Sequence, residues 1–259
     1  MFTNTGFSYD GIRGEFMFGL RIVRSGTGLY DQLHGVQRSV IKDKIRGRKV
    51  PYFYGYEEEV LEFEVTFNKP EPWTFEQRTA VTRWFDQDRH KEFISDDFPI
   101  IFRCSRVGQP IFSNVGSNEG FVTMQFECDA PHGWSQRKTH TFDLTTNPTS
   151  TFIDVYNRSN VYGYYKPIIN FDLSGSATGI TIANHTDGGR VFEFTGLNTL
   201  EQIEVDNDRE RIVTNAGSTT YRLSNLTGRR FFRMPQGLNR LEVTGTCTLQ
   251  FICQFPIMI

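Results

Sequence analysis

Alternating apolar residues between Lys166 and Val213 constrain the fold more than any other feature of this sequence. Four short apolar runs in this stretch alternate with polar residues, and clusters of Gly, Asn and Asp separate the runs. Because successive side chains of a β-strand point to opposite faces, this pattern predicts one antiparallel sheet with a buried face. The acidic residues fall at predicted turns or on the predicted wet face: Asp187, Asp206, Asp208, Glu193 and Glu204. We therefore expect this stretch to be a scaffold without reaction chemistry.

The first half of the chain is predicted to hold further strands and one helix. Strands are expected at Gly14–Arg24 and Phe121–Cys128, and Val50–Phe67 is expected to form a hairpin that turns at Glu57–Glu59. In this hairpin Tyr52, Tyr54 and Tyr56 are predicted to share a face. A capping-box sequence, with Thr74 at the N-cap and Gln77 three residues later, predicts a helix over Thr74–His90. The predicted apolar face of this helix contains Phe75, Ala80 or Val81, Trp84 and Phe85.

The second half reads as strands throughout. Strands are expected within Thr141–Tyr156, at Thr219–Leu223 and at Arg229–Arg233, and a turn is expected at Pro235–Asn239. The final apolar run, from Leu241 to Phe255, is predicted to be a closing hairpin that completes a β-sandwich. A compositional break at Asp129–Gly133 separates the halves and predicts two domains, residues 1–137 and 138–259.

Composition limits the class of protein. The 259 residues can form two domains with cores of their own, and 24 Phe and 10 Tyr predict an aromatic-rich interior. No apolar run is long enough to cross a membrane. The start of the sequence has no basic segment followed by an apolar one, so we expect no secretory signal and synthesis in the cytoplasm. A net charge of −2 argues against sequence-specific or general nucleic-acid binding.

The sequence contains no pattern typical of a catalytic, metal or cofactor site. The five histidines are scattered singly, and the four cysteines lie in alternating apolar runs, which predicts buried free thiols. The adjacent Asp96 and Asp97 precede a proline and are interpreted as turn residues. A sugar-binding role stays open, because aromatic rings on a β-sandwich can stack on sugars; the candidates are Trp134, Tyr162, Tyr164 and Tyr165. We expect no enzyme activity and no cofactor.

Several segments, in this order, resemble the distal tail protein (Dit) family of long-tailed, non-contractile bacteriophages. In the first half these segments are GLRI at Gly19–Ile22, RGRKVPYFYG at Arg46–Gly55, LEFEVTF followed by a helix with RWF, DDFPIIFRC, and FECDAPHGWS. In the second half they are VYNRSNVYGYYKPIINF, LEQIEVDND and RMPQGLNRLEVTG. The resemblance extends over nearly the whole chain.

This resemblance implies an all-β protein of the virion, located at the tail tip. It implies that an N-terminal β-sandwich or split-barrel domain forms a hexameric ring and that a galectin-like C-terminal β-sandwich projects outward. Such a ring joins the tail tube protein on one face to tail-tip, tail-associated or baseplate proteins on the other, with a receptor-binding protein as a further possible partner. The alternative is a carbohydrate-binding tail or adhesin module.

Two groups of charged residues are the candidate functional residues of such a ring. The stretch Ser25–Arg48 is interpreted either as a solvated loop or charged edge strand, or as an arm that contacts a neighbouring subunit. For the arm, the predicted interface residues are Arg46, Arg48 and the adjoining Lys49. Glu62 and Glu64 lie on the predicted wet face of a strand, and we expect them to line the lumen, where negative charge would keep DNA from adhering.

Overall fold

The computed structural model describes residues 5–25, 38–116, 119–147, 149–217 and 220–258. Residues 26–37, which belong to the predicted arm, lie outside the described residues. The chain divides into two compact units, of which the first ends at Ser135 and the second is Gln136–Pro256; Ile257 and the residues after it belong to the first unit. Both units consist mostly of strands, so the predicted all-β fold with two domains is confirmed.

The first unit is built on one large sheet. Its strands are β1 (Phe7–Tyr9), β2 (Ile12–Arg13), β3 (Arg21–Ser25), β4 (Arg38–Asp43), β5 (Tyr52–Glu58), β6 (Glu62–Lys69), β7 (Lys91–Ser95), β8 (Ile101–Val115), β9 (Glu119–Cys128) and β10 (Gly133–Trp134), and its helices are α1 (Gly14–Phe18) and α2 (Phe75–Phe85). The nine-stranded sheet runs in the order β2-β1-β7-β8-β9-β6-β3, with β10 and a late strand, β20 (Pro256–Ile257), attached off this path. Strands β4 and β5 form a separate two-stranded sheet.

An aromatic core fills the space between this sheet and α2. Phe7, at its centre, is fully buried, and its ring centroid lies 4.6 Å from that of Phe67 and 5.5 Å from that of Phe93. The helix contributes Val81, Trp84 and Phe85, which are buried as predicted. The other predicted face residue, Phe75, is 79% exposed, so that assignment was wrong. The predicted capping box is confirmed, because Thr74 accepts from the Gln77 amide and the Gln77 side chain accepts from the Thr74 amide.

Two predicted elements of the first unit were wrong. Gly14–Phe18 forms a helical turn instead of the start of a strand, and Gly19 ends the turn with a left-handed φ of 69° while its amide donates to the Glu15 carbonyl. The expected hairpin of β5 with β6 does not form. Strand β6 is hydrogen-bonded to β9 on one side and to β3 on the other, so it has no edge left for β5, which pairs with β4 instead.

The second unit is a pair of facing antiparallel sheets. Its strands are β11 (Lys138–Asp143), β12 (Ser150–Asn157), β13 (Ile168–Leu173), β14 (Ile180–Asn184), β15 (Arg190–Phe194), β16 (Gln202–Asp206), β17 (Arg211–Thr214), β18 (Gly237–Thr244) and β19 (Cys247–Cys253). One sheet has the order β11-β19-β13-β16-β17 and the other the order β12-β18-β14-β15. The rings of Phe171 on β13 and Phe194 on β15 lie 5.5 Å apart, so the core lies between the sheets.

The structure corrects the predicted pairing in this unit. The stretch Lys166–Val213 forms no single sheet: it provides five strands, of which β13, β16 and β17 join one sheet and β14 and β15 the other. The final run is likewise no hairpin, because β18 and β19 enter opposite sheets. Gly245 makes this crossing possible: its φ is 113°, and a Cβ there would lie 2.8 Å from the Gly179 carbonyl oxygen.

The two short strands predicted between Thr219 and Arg233 were also wrong. Thr219 lies outside the described residues, and the segment that follows contains 3₁₀ turns at Leu223–Asn225 and Thr227–Arg229. An ion pair holds this segment in place: the Arg222 guanidinium donates to both carboxylate oxygens of Glu201, at 2.8 and 2.7 Å. Local turns satisfy its backbone in place of a strand partner; for example, the Asn225 amide donates to the Arg222 carbonyl at 3.1 Å.

Candidate assembly surface

The two-stranded hairpin of β4 and β5 carries an unusual amount of exposed apolar surface. Every residue of β4 is exposed. On β5 and just before it, Val50 is 69%, Phe53 60% and Tyr54 66% exposed. An isolated two-stranded sheet is at best marginally stable in water, because neither face is covered. The hairpin is therefore expected to become more stable when another protein surface covers its exposed apolar side chains.

A bulge determines which aromatic rings share a face of the hairpin. The register shifts between Ile41 and Lys42, and Gly55 on the opposite strand has a φ of 138°. As a result Phe53, rather than Tyr54, lies against Tyr56, with 5.2 Å between the ring centroids. The predicted common face of three tyrosines was therefore wrong, because strict alternation stops at the bulge. We call Phe53 and Tyr56 the aromatic pair.

The predicted interface residues Arg46, Arg48 and Lys49 lie in the loop that joins β4 to β5, and all three are exposed. The guanidinium of Arg48 lies 4.2 Å from the ring centroid of Tyr52, so the base of the loop is tied to the aromatic strand. Between Lys42 and Lys49 the chain carries five basic residues and one acid, Asp43. The predicted basic residues and the exposed aromatic residues, which are adjacent in the sequence, are thus also adjacent in the structure.

The predicted lumen residues Glu62 and Glu64 lie on β6, where Glu62 is exposed and Glu64 half-buried. Glu62 is directly opposite Glu127 of β9, and Glu64 is opposite Gln125. Like charges directly opposite each other on neighbouring strands destabilise a sheet. Glu127 is an acid that the sequence analysis missed. The alternation of buried residues along β9 could have placed it on the outer face, but only the register places it opposite Glu62.

Glu127→Gln is expected to stabilise the protein by about 0.2–1 kcal/mol, because it removes the repulsion between two carboxylates that face each other. Urea denaturation at neutral pH and low salt measures the change. The matched control is Glu64→Gln, which replaces an acid whose opposite residue is uncharged and which should change the stability by less than about 0.5 kcal/mol. A loss of stability in Glu127→Gln would contradict this account of the acidic pair.

The cysteines and the two adjacent aspartates, which the sequence offered as candidate reactive groups, are buried or hydrogen-bonded within their own unit. All four cysteines are buried and free, as predicted. Burial raises the pKa of the Cys128 thiol to about 12, which makes it a poor nucleophile at neutral pH. Asp96 and Asp97 lie in a turn, as predicted. Asp96 accepts two hydrogen bonds from Arg13, at 2.6 and 2.9 Å, and Asp97 accepts one from the Thr5 hydroxyl.

In the part of the chain that the structure describes, no three His, Cys, Asp or Glu side chains are grouped as a metal site would require. Over the same ranges, no helix has the length and apolar character needed to span a membrane.

The aromatic residues considered for sugar binding do not share a common platform. Tyr162 is fully exposed, whereas the Tyr164 ring is covered by the Arg233 guanidinium at 3.7 Å. The Tyr165 hydroxyl accepts from the Gln254 amide at 2.7 Å, and Trp134 lies edge-on to His132 in the first unit. Three of the four rings are therefore engaged in contacts within their own unit.

Comparisons with known proteins give a consistent result. Residues 2–130 match a family described as phage tail protein N-terminal domain, and residues 132–253 match its companion, the phage tail C-terminal domain. No curated protein matches the sequence.

Among solved structures, the crystal structure of the SPP1 Dit protein, described as a paradigm of the hub adsorption apparatus in Gram-positive infecting phages, is similar at a TM-score of 0.72 and 17% identity. The likeness covers 98% of this chain and 100% of that one. A chain of the phage P2 baseplate, in its activated conformation with Ca, is similar at a TM-score of 0.51 and 9% identity, over 98% of both chains. At these identities the likeness shows that the fold is shared.

Proposed function

Since this chain belongs to the phage tail protein family, with both its N-terminal and its C-terminal domain represented, we propose that it is the distal tail hub of the virion. In this proposal residues 1–137 form a hexameric ring. One face of the ring binds the tail tube protein, and the other binds tail-tip or baseplate proteins. Residues 138–259, a galectin-like domain, offer a docking surface to further tail proteins such as a receptor-binding protein. The role is structural and not enzymatic.

The observation that best supports a ring is the exposed β4–β5 hairpin. A closed ring requires two different surfaces on each subunit, one of which fits the other on the next subunit. The hairpin supplies a surface of the right kind, because it combines exposed aromatic rings with a basic loop and pairs outside the main sheet. Covering it would remove apolar area from water, at about 25 cal/mol for each Å² buried.

The outer face of β6 and β9 supports the expected acidic lumen. Glu62, Glu64 and Glu127 lie on one face of two neighbouring strands. A stretch of like charge reduces the stability of the subunit, but it also repels a passing polyanion, as a lumen for DNA requires. We therefore add Glu127 to the two lumen residues predicted from the sequence.

Light scattering coupled to size exclusion tests the ring. The purified chain should elute with the mass of about six subunits. A stable monomer at all concentrations would contradict the proposal that the chain forms a tail hub. A monomer that also binds sugars on a glycan array would favour the carbohydrate-binding alternative.

Reversing two charges of the loop, Arg46→Glu together with Arg48→Glu, is expected to weaken ring assembly by about tenfold or more, and more strongly at low salt, since a favourable charge contact becomes a repulsive one. Light scattering over a dilution series measures the shift. The matched control is Arg229→Glu with Arg230→Glu, which makes the same charge change at exposed residues of the second unit and should leave assembly unchanged. Equal effects of the two variants would show that the loop is not in the interface.

A further inference from the structure

The outer face of one sheet of the second unit carries two half-exposed aromatic rings. Phe152 and Tyr156 lie on β12, which is an edge strand of the sheet β12-β18-β14-β15. Alternation along this strand buries Ile153 and Val155 and leaves Phe152 50% and Tyr156 53% exposed. Both rings therefore lie on the solvent side of the same sheet.

Polar side chains surround Phe152 and are held in place by one another. The Arg240 guanidinium lies 4.8 Å from the centre of the Phe152 ring, and the His185 ring lies 5.6 Å from it. The Glu242 carboxylate accepts a hydrogen bond from the Ser150 hydroxyl at 2.9 Å, and its other oxygen lies 2.9 Å from His185 Nε2. The polar groups beside the ring are thus positioned before any ligand binds.

Asp154 and Arg240 add an acceptor and a donor between the two rings. They lie directly opposite each other on β12 and β18, and both are exposed. Within the part of the chain that the structure describes, neither side chain makes a hydrogen bond. A carboxylate accepts hydrogen bonds and a guanidinium donates them, so together they can satisfy both roles of a hydroxyl group.

This combination is typical of a sugar-binding site and not of the centre of a protein interface. The C–H face of a pyranose can pack on an aromatic ring while its hydroxyl groups bind polar side chains. The centre of a protein interface is depleted in charged residues, whereas here Asp154, Arg240 and Glu242 lie between and beside the rings. A neutral sugar fits best, because an anionic one would meet two carboxylates and one guanidinium.

We propose that this face binds a neutral oligosaccharide or polysaccharide that lies along β12. Phe152 and Tyr156 are four residues apart, about 13 Å at roughly 3.3 Å per residue, which is longer than one pyranose ring. The two rings therefore stack on different sugar units, and Asp154 and Arg240 bind hydroxyl groups between them. Leu238, opposite Tyr156 and 54% exposed, extends the apolar contact. This site goes beyond the hub function and does not depend on it.

The outer face of the other sheet provides an internal comparison. A shallow pocket of about 310 Å³ on that sheet is lined mainly by Asn170, Asp172, Gln202 and Glu204. It offers hydrogen-bonding groups, but its described lining residues include no aromatic ring on which a pyranose could stack. The β12–β18 face combines both features.

A glycan array tests the proposal. The biotinylated full chain is displayed on streptavidin, which makes the probe multivalent whether or not the chain forms a ring. The probe should bind neutral oligosaccharides of several units and not the corresponding monosaccharides, because a single unit reaches one aromatic ring only. Absence of binding to every neutral oligosaccharide, or binding to anionic glycans alone, would overturn the proposal.

Phe152→Ala together with Tyr156→Ala should raise the dissociation constant of the best-bound oligosaccharide by about tenfold or more, because both stacking contacts are lost. Isothermal titration calorimetry measures the change, and thermal unfolding verifies that the variant is folded. Asp154→Ala replaces an exposed residue without a partner and should weaken binding by about threefold or more. The matched control is Tyr162→Ala, which removes a fully exposed ring of the same unit and should leave binding unchanged.

The outcomes separate this proposal from the hub. A ring by light scattering that binds no neutral oligosaccharide overturns the sugar site and leaves the hub intact. A monomer whose sugar binding depends on Phe152 and Tyr156 supports the site and contradicts the hub. Sugar binding that Tyr162→Ala weakens as much as the double variant overturns the site. A ring that binds no glycan, but loses a purified tail protein when Phe152 and Tyr156 are replaced, assigns the face to a protein and also overturns the proposal.

Discussion

Arg222→Ala is expected to lower the free energy of unfolding of the second unit by about 3–5 kcal/mol, because it leaves a buried carboxylate without its partner. The side chain of Glu201 is only 1% exposed, and it accepts two hydrogen bonds from Arg222 and one from Thr214. Chemical denaturation, followed by circular dichroism, measures the loss.

Arg211→Ala is the matched control for this variant. Arg211 pairs with Glu204 on the same sheet, but the two side chains are 61% and 43% exposed. Exposed pairs contribute at most about 1 kcal/mol, because water solvates the remaining charge. Equal losses from the two substitutions would contradict the claim that burial, and not the ion pair as such, sets the size of the effect.

The ion pair of Glu201 and Arg222 also predicts how stability depends on pH. Burial raises the pKa of Glu201, but the hydrogen bonds from Arg222 and Thr214 outweigh burial and leave the pKa below its usual value. A carboxyl group whose pKa is lower in the folded state stabilises the fold above its unfolded pKa of about 4.3 and loses this contribution as the pH falls through the folded pKa. The difference between wild type and Glu201→Gln should therefore be constant near neutral pH and shrink in acid.

Phe7→Ala is expected to destabilise the first unit by about 3–5 kcal/mol, since it removes a fully buried ring and leaves a cavity. Phe7 contacts the rings of Phe67 and Phe93, and its own ring leaves no room for a side chain at Gly14, where a Cβ would lie 2.4 Å from it. The control is Phe16→Ala, which removes the same side chain from a position that is 84% exposed and should cost less than about 0.5 kcal/mol.

Calorimetry further distinguishes Phe7→Ala from Arg222→Ala. Phe7 and Arg222 lie in different compact units. If the units unfold separately, Phe7→Ala should shift one thermal transition and Arg222→Ala the other. A single transition that both substitutions lower equally would show that the units unfold together.

Features that depend on neighbouring residues could be predicted from the sequence. The capping box of Thr74 and Gln77 is an interaction over three residues, and its prediction was confirmed. The alternation along Phe121–Cys128 likewise predicted a strand, which is part of β9. Alternation alone, however, also describes Gly14–Phe18, where a left-handed Gly19 closes a helical turn.

Features that depend on distant residues could not be predicted. Strand β5 reads as the partner of β6 because the two are adjacent in sequence, but β6 is already paired on both sides. The bulge near Ile41 and Lys42 changes which rings meet, and no single-strand pattern indicates it. The basic residues of the loop were found from composition, whereas the position of Glu127 opposite Glu62 depends on the register of β6 and β9.

The order of strands in the second unit has a consequence for its synthesis. Strand β18 lies between β12 and β14, and β19 lies between β11 and β13, so the last two long strands are interior strands of both sheets. Until residues 237–253 have left the ribosome, β11 and β12 lack their partner strands, so neither sheet can be completed. The first unit contains nearly all of its strands by Trp134, more than a hundred residues earlier. During translation the nascent chain can therefore carry a folded first unit while the second is still an open chain, so subunits could begin to contact one another before they are complete.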